Sequence, residues 1–206
     1  RLIDSQREMT RAVSHELRTP VARLRFGMEM LADTDDIDQR HDQLQLLDQD
    51  VEQLNQLIDE ILTYAKLEQG TPSLKFETFE LAGLLERVRN ETQVLSTGHV
   101  IEVESSGTEV RIEAELRYLH RVIQNLAGNA VRYARSRVRL SGGIKGNWAW
   151  VCVEDDGPGI PEKDRARIFE PFARLDDSRT RSSGGYGLGL SIVQRIAFWH
   201  GGTVEV

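Results

Sequence analysis

Cysteine is nearly absent from this chain: among 206 residues there is one, Cys152. A single thiol excludes an internal disulfide framework and a cysteine-based zinc cluster within one chain. Flanked by Val151 and Val153, it reads as a buried strand residue. Excess positive charge is missing too: the net charge is −7, which argues against a nucleic-acid binder. No apolar run approaches the roughly 18 residues that a membrane-spanning helix needs, and no secretory signal is present. The chain begins without Met, in mid-helix, and stops at Val206 in what reads as a strand. Both ends are therefore expected to be cut points in a longer protein, and the missing span says little about the parent. Internal repeats and low-complexity tracts are also lacking. What is present is an ordinary soluble balance, 39% hydrophobic and 29% charged, enough for one large domain or two small ones.

The first third reads as two helices. Val13, Leu17, Leu24, Met28 and Leu31 recur at helical steps in a helix over residues 1 to about 32. His15 lies off that stripe and is expected to face water, with Glu16 and Arg18 beside it and Thr19 one turn on. Pro20 removes a backbone donor and is expected to kink or loosen the helix there. An ordinary imidazole titrates near about 6.5, which makes histidine a competent nucleophile near neutral pH. Asp33-Thr34-Asp35-Asp36 is a turn with capping chemistry for a second helix to about Gln69. There Leu44, Val51, Ile58 and Ala65 are spaced by seven, and Leu47, Leu54 and Ile61 form a second seven-spaced set. Such a and d positions are a coiled-coil signal. One hairpin cannot bury both stripes, so two are expected to pair in a dimeric four-helix bundle. The alternative is a hairpin that packs on its own second domain.

Gly70-Thr71-Pro72-Ser73 ends the helix as a linker. Beyond it the pattern predicts strands at 74–79, 100–104, 110–113, 137–141 and 148–154. It predicts helices at 81–95, 115–134 and 190–200, and a short one from Pro161. Gly142 to Asn147 is expected to be a turn between the last two strands. The mixture suggests helices layered on a mostly antiparallel sheet, an α/β two-layer sandwich.

Four features in this second region belong together. Asn125 and Asn129 share a helix face, where two amide oxygens suit a hard cation such as magnesium that also holds phosphates; Arg132 could meet phosphate and Tyr133 a base. Asp155, Gly157, Gly159 and Ile160 end a strand in a carboxylate and a glycine turn. That carboxylate can accept from an exocyclic amine, and the glycines let backbone approach a flat ligand. Phe169 and Phe172 precede a polar stretch, Ala173 to Gly185, that reads as a lid carrying Arg179 and Arg181. Gly185, Gly187, Leu188 and Gly189 precede a helix, whose N-terminal amides favour phosphate. Each motif alone is weak, and the last is not a Rossmann fingerprint.

Their order and spacing resemble the catalytic core of the sensor histidine kinases of bacterial two-component systems. Ser14 to Pro20 resembles the family's H box, Asn125 to Tyr133 its N box, Asp155 to Gly159 and Gly185 to Gly189 its two glycine boxes, and Phe169 to Phe172 its F box. The likeness spans nearly the whole chain. It implies a dimerisation and phosphotransfer domain at residues 1–69, a linker at 70–73, and at 74–206 an ATP-binding domain of the fold shared by gyrase, Hsp90 and MutL. It implies that His15 takes the γ-phosphoryl of ATP, that Glu16 bonds the imidazole as general base, and that Thr19 positions water for a reverse phosphatase reaction. Asp155 would bind adenine, and Asn125 and Asn129 would hold magnesium. The phosphoryl would pass to an aspartate of a response regulator. The parent would be a bacterial inner-membrane protein and this piece its cytoplasmic part.

Two departures stand out. The family's last strand, after Gly201-Gly202-Thr203-Val204, is missing, which is expected to expose a sheet edge; Tyr186 stands where a small polar residue is more usual. A gyrase-like ATPase is a rival reading, but it needs a glutamate base where Asn125 stands. A degenerate nucleotide-binding interaction module is another, and the intact Asn129, Asp155 and glycine boxes speak against it.

Overall fold

The computed structural model describes residues 2–68, 70, 74–96, 98–105, 110–175 and 185–206. Two helices of equal length come first, α1 at Leu2–Asp33 and α2 at Ile37–Glu68. Asp36 starts α2: its Oδ1 accepts from the backbone N–H of Asp38 at 2.9 Å and of Gln39 at 3.2 Å, satisfying donors that a helix N-terminus leaves open. Pro20 lies inside α1, buried, and the helix runs through it without a break. The helices pack closely at Gly27, where a Cβ would stand 2.7 Å from Leu47. Arg23 ties them further, to Asp50 at 2.9 Å and Gln53 Oε1 at 2.8 Å.

The α/β region follows with β1 (Glu77–Glu80), α3 (Leu81–Leu95), β2 (Val100–Ser105), β3 (Arg111–Ala114), α4 (Leu116–Tyr133), β4 (Arg137–Lys145) and β5 (Trp148–Asp155). Two single turns of 3-10 helix, Glu162–Asp164 and Arg167–Phe169, stand where the sequence suggests one short helix, and α5 (Gly189–Trp199) closes the order. Strands β1 and β3 pair antiparallel as a two-stranded sheet. The second sheet is mixed, in order β2-β4-β5, with β2 parallel to β4 and β5 antiparallel to it. Helices α3 and α4 cover it: Leu81, Leu84, Leu85 and Val88 meet Ile123, Ala127 and Ala130 over Val138 and Leu140. Each such side chain removed from water contributes on the order of 1.5–3 kcal/mol.

The expected turn at Gly142 to Asn147 is corrected. Strand β4 runs on to Lys145, paired with Trp148, so only Gly146 and Asn147 turn. Gly142 is a strand glycine because Leu81 of α3 presses there; a Cβ would come within 2.8 Å of it. Gly146 is the residue that needs its left-handed φ of 63°. Cys152 lies in β5 opposite Ser141, half-buried rather than enclosed, and burial pushes its thiol pKa up. The outer edge of β5 has no strand partner among the described residues, and Trp148 there is 64% exposed.

A second apolar cluster joins the two regions. Leu57 and Leu67 of α2 are buried against Val122 of α4 and Leu188, Ile192, Val193 and Ile196 around α5. The contact is reinforced where Arg121 Nη2 donates to the Asp59 carbonyl at 3.4 Å and Trp199 Nε1 to that of Leu67 at 3.4 Å. Arg195 pairs with Glu68. Meanwhile Leu44, Val51 and Ile58 stay 52%, 44% and 40% exposed. One stripe of α2 therefore serves the α/β region, as the alternative reading has it, and another lies open. No described helix is long and apolar enough to cross a membrane.

Candidate active site

His15 stands on the water-facing side of α1, with its side chain 75% exposed. Its Nδ1 lies 3.2 Å from Glu16 Oε1, so the neighbouring carboxylate is placed to hold one ring nitrogen and leave Nε2 to an incoming group. Thr19 sits one turn on, half-buried.

The remaining sites gather around the C-terminal half of α4. Asn125 and Asn129 are both half-buried there. Asn125 Nδ2 donates to the Gly189 carbonyl at 3.3 Å, which bolts the amide helix to the glycine loop before α5 and leaves Oδ1 for another partner. Arg132 lies directly against Gly185, where a Cβ would run into its guanidinium. Tyr133, half exposed, ends α4, and its carbonyl closes on Gly157. A Cβ on Gly157 would also sit 2.6 Å from Asp155 Oδ1. The first glycine is therefore demanded by its own chain, and not only by the approach of a ligand. Gly159 turns with φ 73°, and Ile160 beyond it is half-buried.

The aromatic motif meets the second glycine loop. The Phe172 N–H donates to the Gly187 carbonyl at 2.8 Å, and Phe172 holds φ 62°, unusual for a residue with a Cβ. Gly187 has φ 75° and no room for a side chain, since a Cβ would stand 2.7 Å from the Phe172 carbonyl carbon. Leu188 is buried, Phe169 half-buried at the end of its 3-10 turn. Residues 176–184 of the expected lid, with Arg179 and Arg181, lie outside the described residues, as do 71–73 of the linker.

Asp155 and Asp156 look alike in sequence and differ in place. Asp155 is exposed at the end of β5 and turns Oδ1 to the Gly157 N–H at 2.8 Å. Asp156 accepts from the N–H of Arg135 at 2.7 Å, Ser136 at 3.0 Å and Arg137 at 3.2 Å, and from the Ser136 hydroxyl at 2.8 Å. Those donors, Ser136 foremost, hold its carboxyl far below the usual carboxylate range. It clamps the start of β4 to the end of β5, a task the sequence reading missed; a carboxylate doublet at a strand end was the signal. Glu115 was missed likewise. It is buried ahead of α4, accepts from the Lys75 N–H at 2.8 Å, and lends its own N–H to His200 Nε2 at 3.2 Å.

The donor set suits magnesium. Two amide oxygens on one helix face match a hard ion that takes few protein ligands and keeps water and phosphate. No group of three or more His, Cys, Asp or Glu side chains suited to a metal occurs among the described residues.

Two known families match parts of the chain. Residues 5–70 match the His Kinase A (phospho-acceptor) domain, and residues 114–206 match the family described as Histidine kinase-, DNA gyrase B-, and HSP90-like ATPase. The chain belongs to the sensor histidine kinases. Its α/β region is accordingly the ATP-binding domain of that family. Sensor protein RstB of Escherichia coli (strain K12) is 40% identical over 204 residues, covering 99% of the chain and 46% of RstB. The chain thus spans less than half the length of that relative. The full-length histidine kinase ShkA in complex with AMPPNP superposes with a TM-score of 0.71 at 30% identity, over 97% of this chain and 42% of ShkA. Histidine kinase ThkA in complex with response regulator protein TrrA gives 0.68 at 25% identity, over 81% of this chain and 50% of ThkA.

Proposed function

We propose that the chain autophosphorylates His15 from ATP and passes the phosphoryl group to an aspartate on the receiver domain of a response regulator. The observation carrying this reading is the pairing of an accessible imidazole with Glu16 at 3.2 Å, on an element separate from the nucleotide motifs. Glu16 takes the Nδ1 proton as Nε2 forms its bond to the γ-phosphorus, and the bond from that phosphorus to the β-bridging oxygen breaks to release ADP. Arg132 and the amides of the glycine loop offset phosphate charge. Asp155 accepts from the adenine amine, and Tyr133, Ile160, Phe169 and Phe172 line its surroundings. A magnesium ion on Asn125 and Asn129 would supply further charge neutralisation. Thr19 orients water when the reaction runs as a phosphatase.

The domains divide at residues 69 and 74, and the linker lets one swing to the other. The open stripe of Leu44, Val51 and Ile58 fits a second copy of the chain, closing a four-helix bundle. ShkA's complex with AMPPNP and ThkA's with a response regulator support the two ligand assignments by likeness. The parent is a membrane-anchored sensor with this core on the cytoplasmic side. The test is labelling with ATP and magnesium. Acid-labile, alkali-stable phosphate on the chain, lost in His15→Gln, is the expected result; label retained in that variant sinks the reading. Mixed dimers of His15→Gln and Asn129→Ala chains report whether transfer runs within or between subunits.

A further inference from the structure

Tyr186 stands between Gly185 and Gly187 in the loop assigned to phosphate, yet its side chain reaches the hairpin. The hydroxyl donates to the Gln53 carbonyl of α2 at 3.1 Å. The ring belongs to the apolar cluster shared by Leu17, Leu57 and Leu188. Burial pushes its pKa above the ordinary phenol value, so the hydroxyl keeps the proton it donates. Arg23, Glu60, Glu16 and Asp50 are the charged groups within electrostatic reach, and Glu16 is the residue beside His15.

Other contacts from the ATP-binding domain to the hairpin among the described residues, the bonds of Arg121, Arg195 and Trp199 and the attraction of Arg132 to Glu60, come from α4 and α5. Tyr186 alone among these belongs to the glycine loop itself. That loop is shut: Gly185 lies on the Arg132 guanidinium and Gly187 is held by Phe172. A triphosphate reaching both Arg132 and the loop amides must part Gly185 from Arg132, and Tyr186 travels with Gly185.

We propose that Tyr186 is an interdomain latch, hooking the phosphate-side loop onto α2 so that binding of a nucleoside triphosphate and docking of the domain on the hairpin compete. The latch rests on the nucleotide-site reading given above. By linkage, docking lowers nucleotide affinity by the same factor by which nucleotide lowers docking, so a change that weakens docking tightens nucleotide binding by at most the factor lost. Arg23 Nε, buried with no acceptor among the described residues, gains water when the domains part, which favours release.

Trp199 makes the test readable, because its indole sits at the interface against the Leu67 carbonyl. Of three tryptophans, the other two, Trp148 and Trp150, are exposed on the β5 edge. In a Trp148→Phe, Trp150→Phe background, AMPPNP with magnesium should shift Trp199 emission to the red. Tyr186→Phe, which removes one hydroxyl, should give that shift without nucleotide and tighten AMPPNP roughly two- to tenfold, the range of one net hydrogen bond. Small-angle scattering of the chain without the tryptophan changes should show the Tyr186→Phe variant extended. A Tyr186→Phe chain with unchanged emission and unchanged or weaker AMPPNP binding overturns the latch. Failure of the parent chain to bind AMPPNP at all overturns the nucleotide site, and the latch with it, so the two failures are told apart.

Discussion

The helical hairpin and the ATP-binding domain meet the same demand for burial in different ways. The ATP-binding domain closes a core from its own elements, with Leu85, Ile123, Val138 and Leu140 all out of water. The described residues of the hairpin form no comparable interior. Its buried leucines, Leu57 and Leu67, are covered by the other domain, and Leu44, Val51 and Ile58 remain uncovered. An apolar stripe thus states how much surface a helix must hide, and leaves open what hides it. The difference also suits a kinase: a self-sufficient domain can leave its neighbour and stay folded, whereas the acceptor helices depend on what lies against them.

The comparison breaks most sharply in the core. Leu140→Ala should destabilise the ATP-binding domain by about 2–5 kcal/mol through lost burial and the cavity left behind, and the hairpin, whose Leu57 and Leu67 that domain covers, should melt no later than the domain does. Calorimetry in which the hairpin transition outlasts that of the domain would contradict this one-sided dependence. A smaller effect is expected from the open stripe. Ile58→Glu places a charge on the face assigned to the second copy, and symmetry places it there twice. Dimer affinity in sedimentation should fall at least about tenfold, roughly 1.4 kcal/mol, while AMPPNP binding stays as it was. Weakened nucleotide binding with an intact dimer would mean that the face serves the ATP-binding domain.

The smallest effect sharpens the comparison through pH. The Lys75 N–H, with help from Arg117, holds the Glu115 carboxyl below its ordinary 4.5 despite burial. A lowered folded pKa contributes stability that is complete above the unfolded value and is lost as pH falls through the folded one. Melting of the ATP-binding domain should therefore weaken as pH drops below 4.5, and Glu115→Gln should flatten that dependence. An identical acid profile in the variant would remove Glu115 from the account.

Much of this was legible in the sequence because it is local. Seven-residue spacing found α2, Asp33 to Asp36 held its capping chemistry, and Asn125 to Tyr133 with the glycine loops gave the candidate site. What stayed hidden depends on distant partners. Gly142 and Gly143 read as a turn, since no local rule reveals that Leu81, 61 residues earlier on a helix, needs the space above a strand at Gly142. Tyr186 stood out as unusual, but its bond to Gln53 spans 133 positions. The docking of α5 on α2 was foreseeable only as an alternative, because one stripe can satisfy two neighbours.

The Asp155 and Asp156 pair carries a lesson for mutational surveys. Alanine at either position should silence the kinase, and activity alone would rank both as ligand contacts. Yet one carboxylate faces outward while its neighbour is a rivet between two strands, with four donors already engaged. On the proposed adenine contact, loss of the first would leave a sound fold with an empty pocket; loss of the second would loosen the wall on which that pocket is mounted. Two identical letters, side by side, thus fail in two unlike ways.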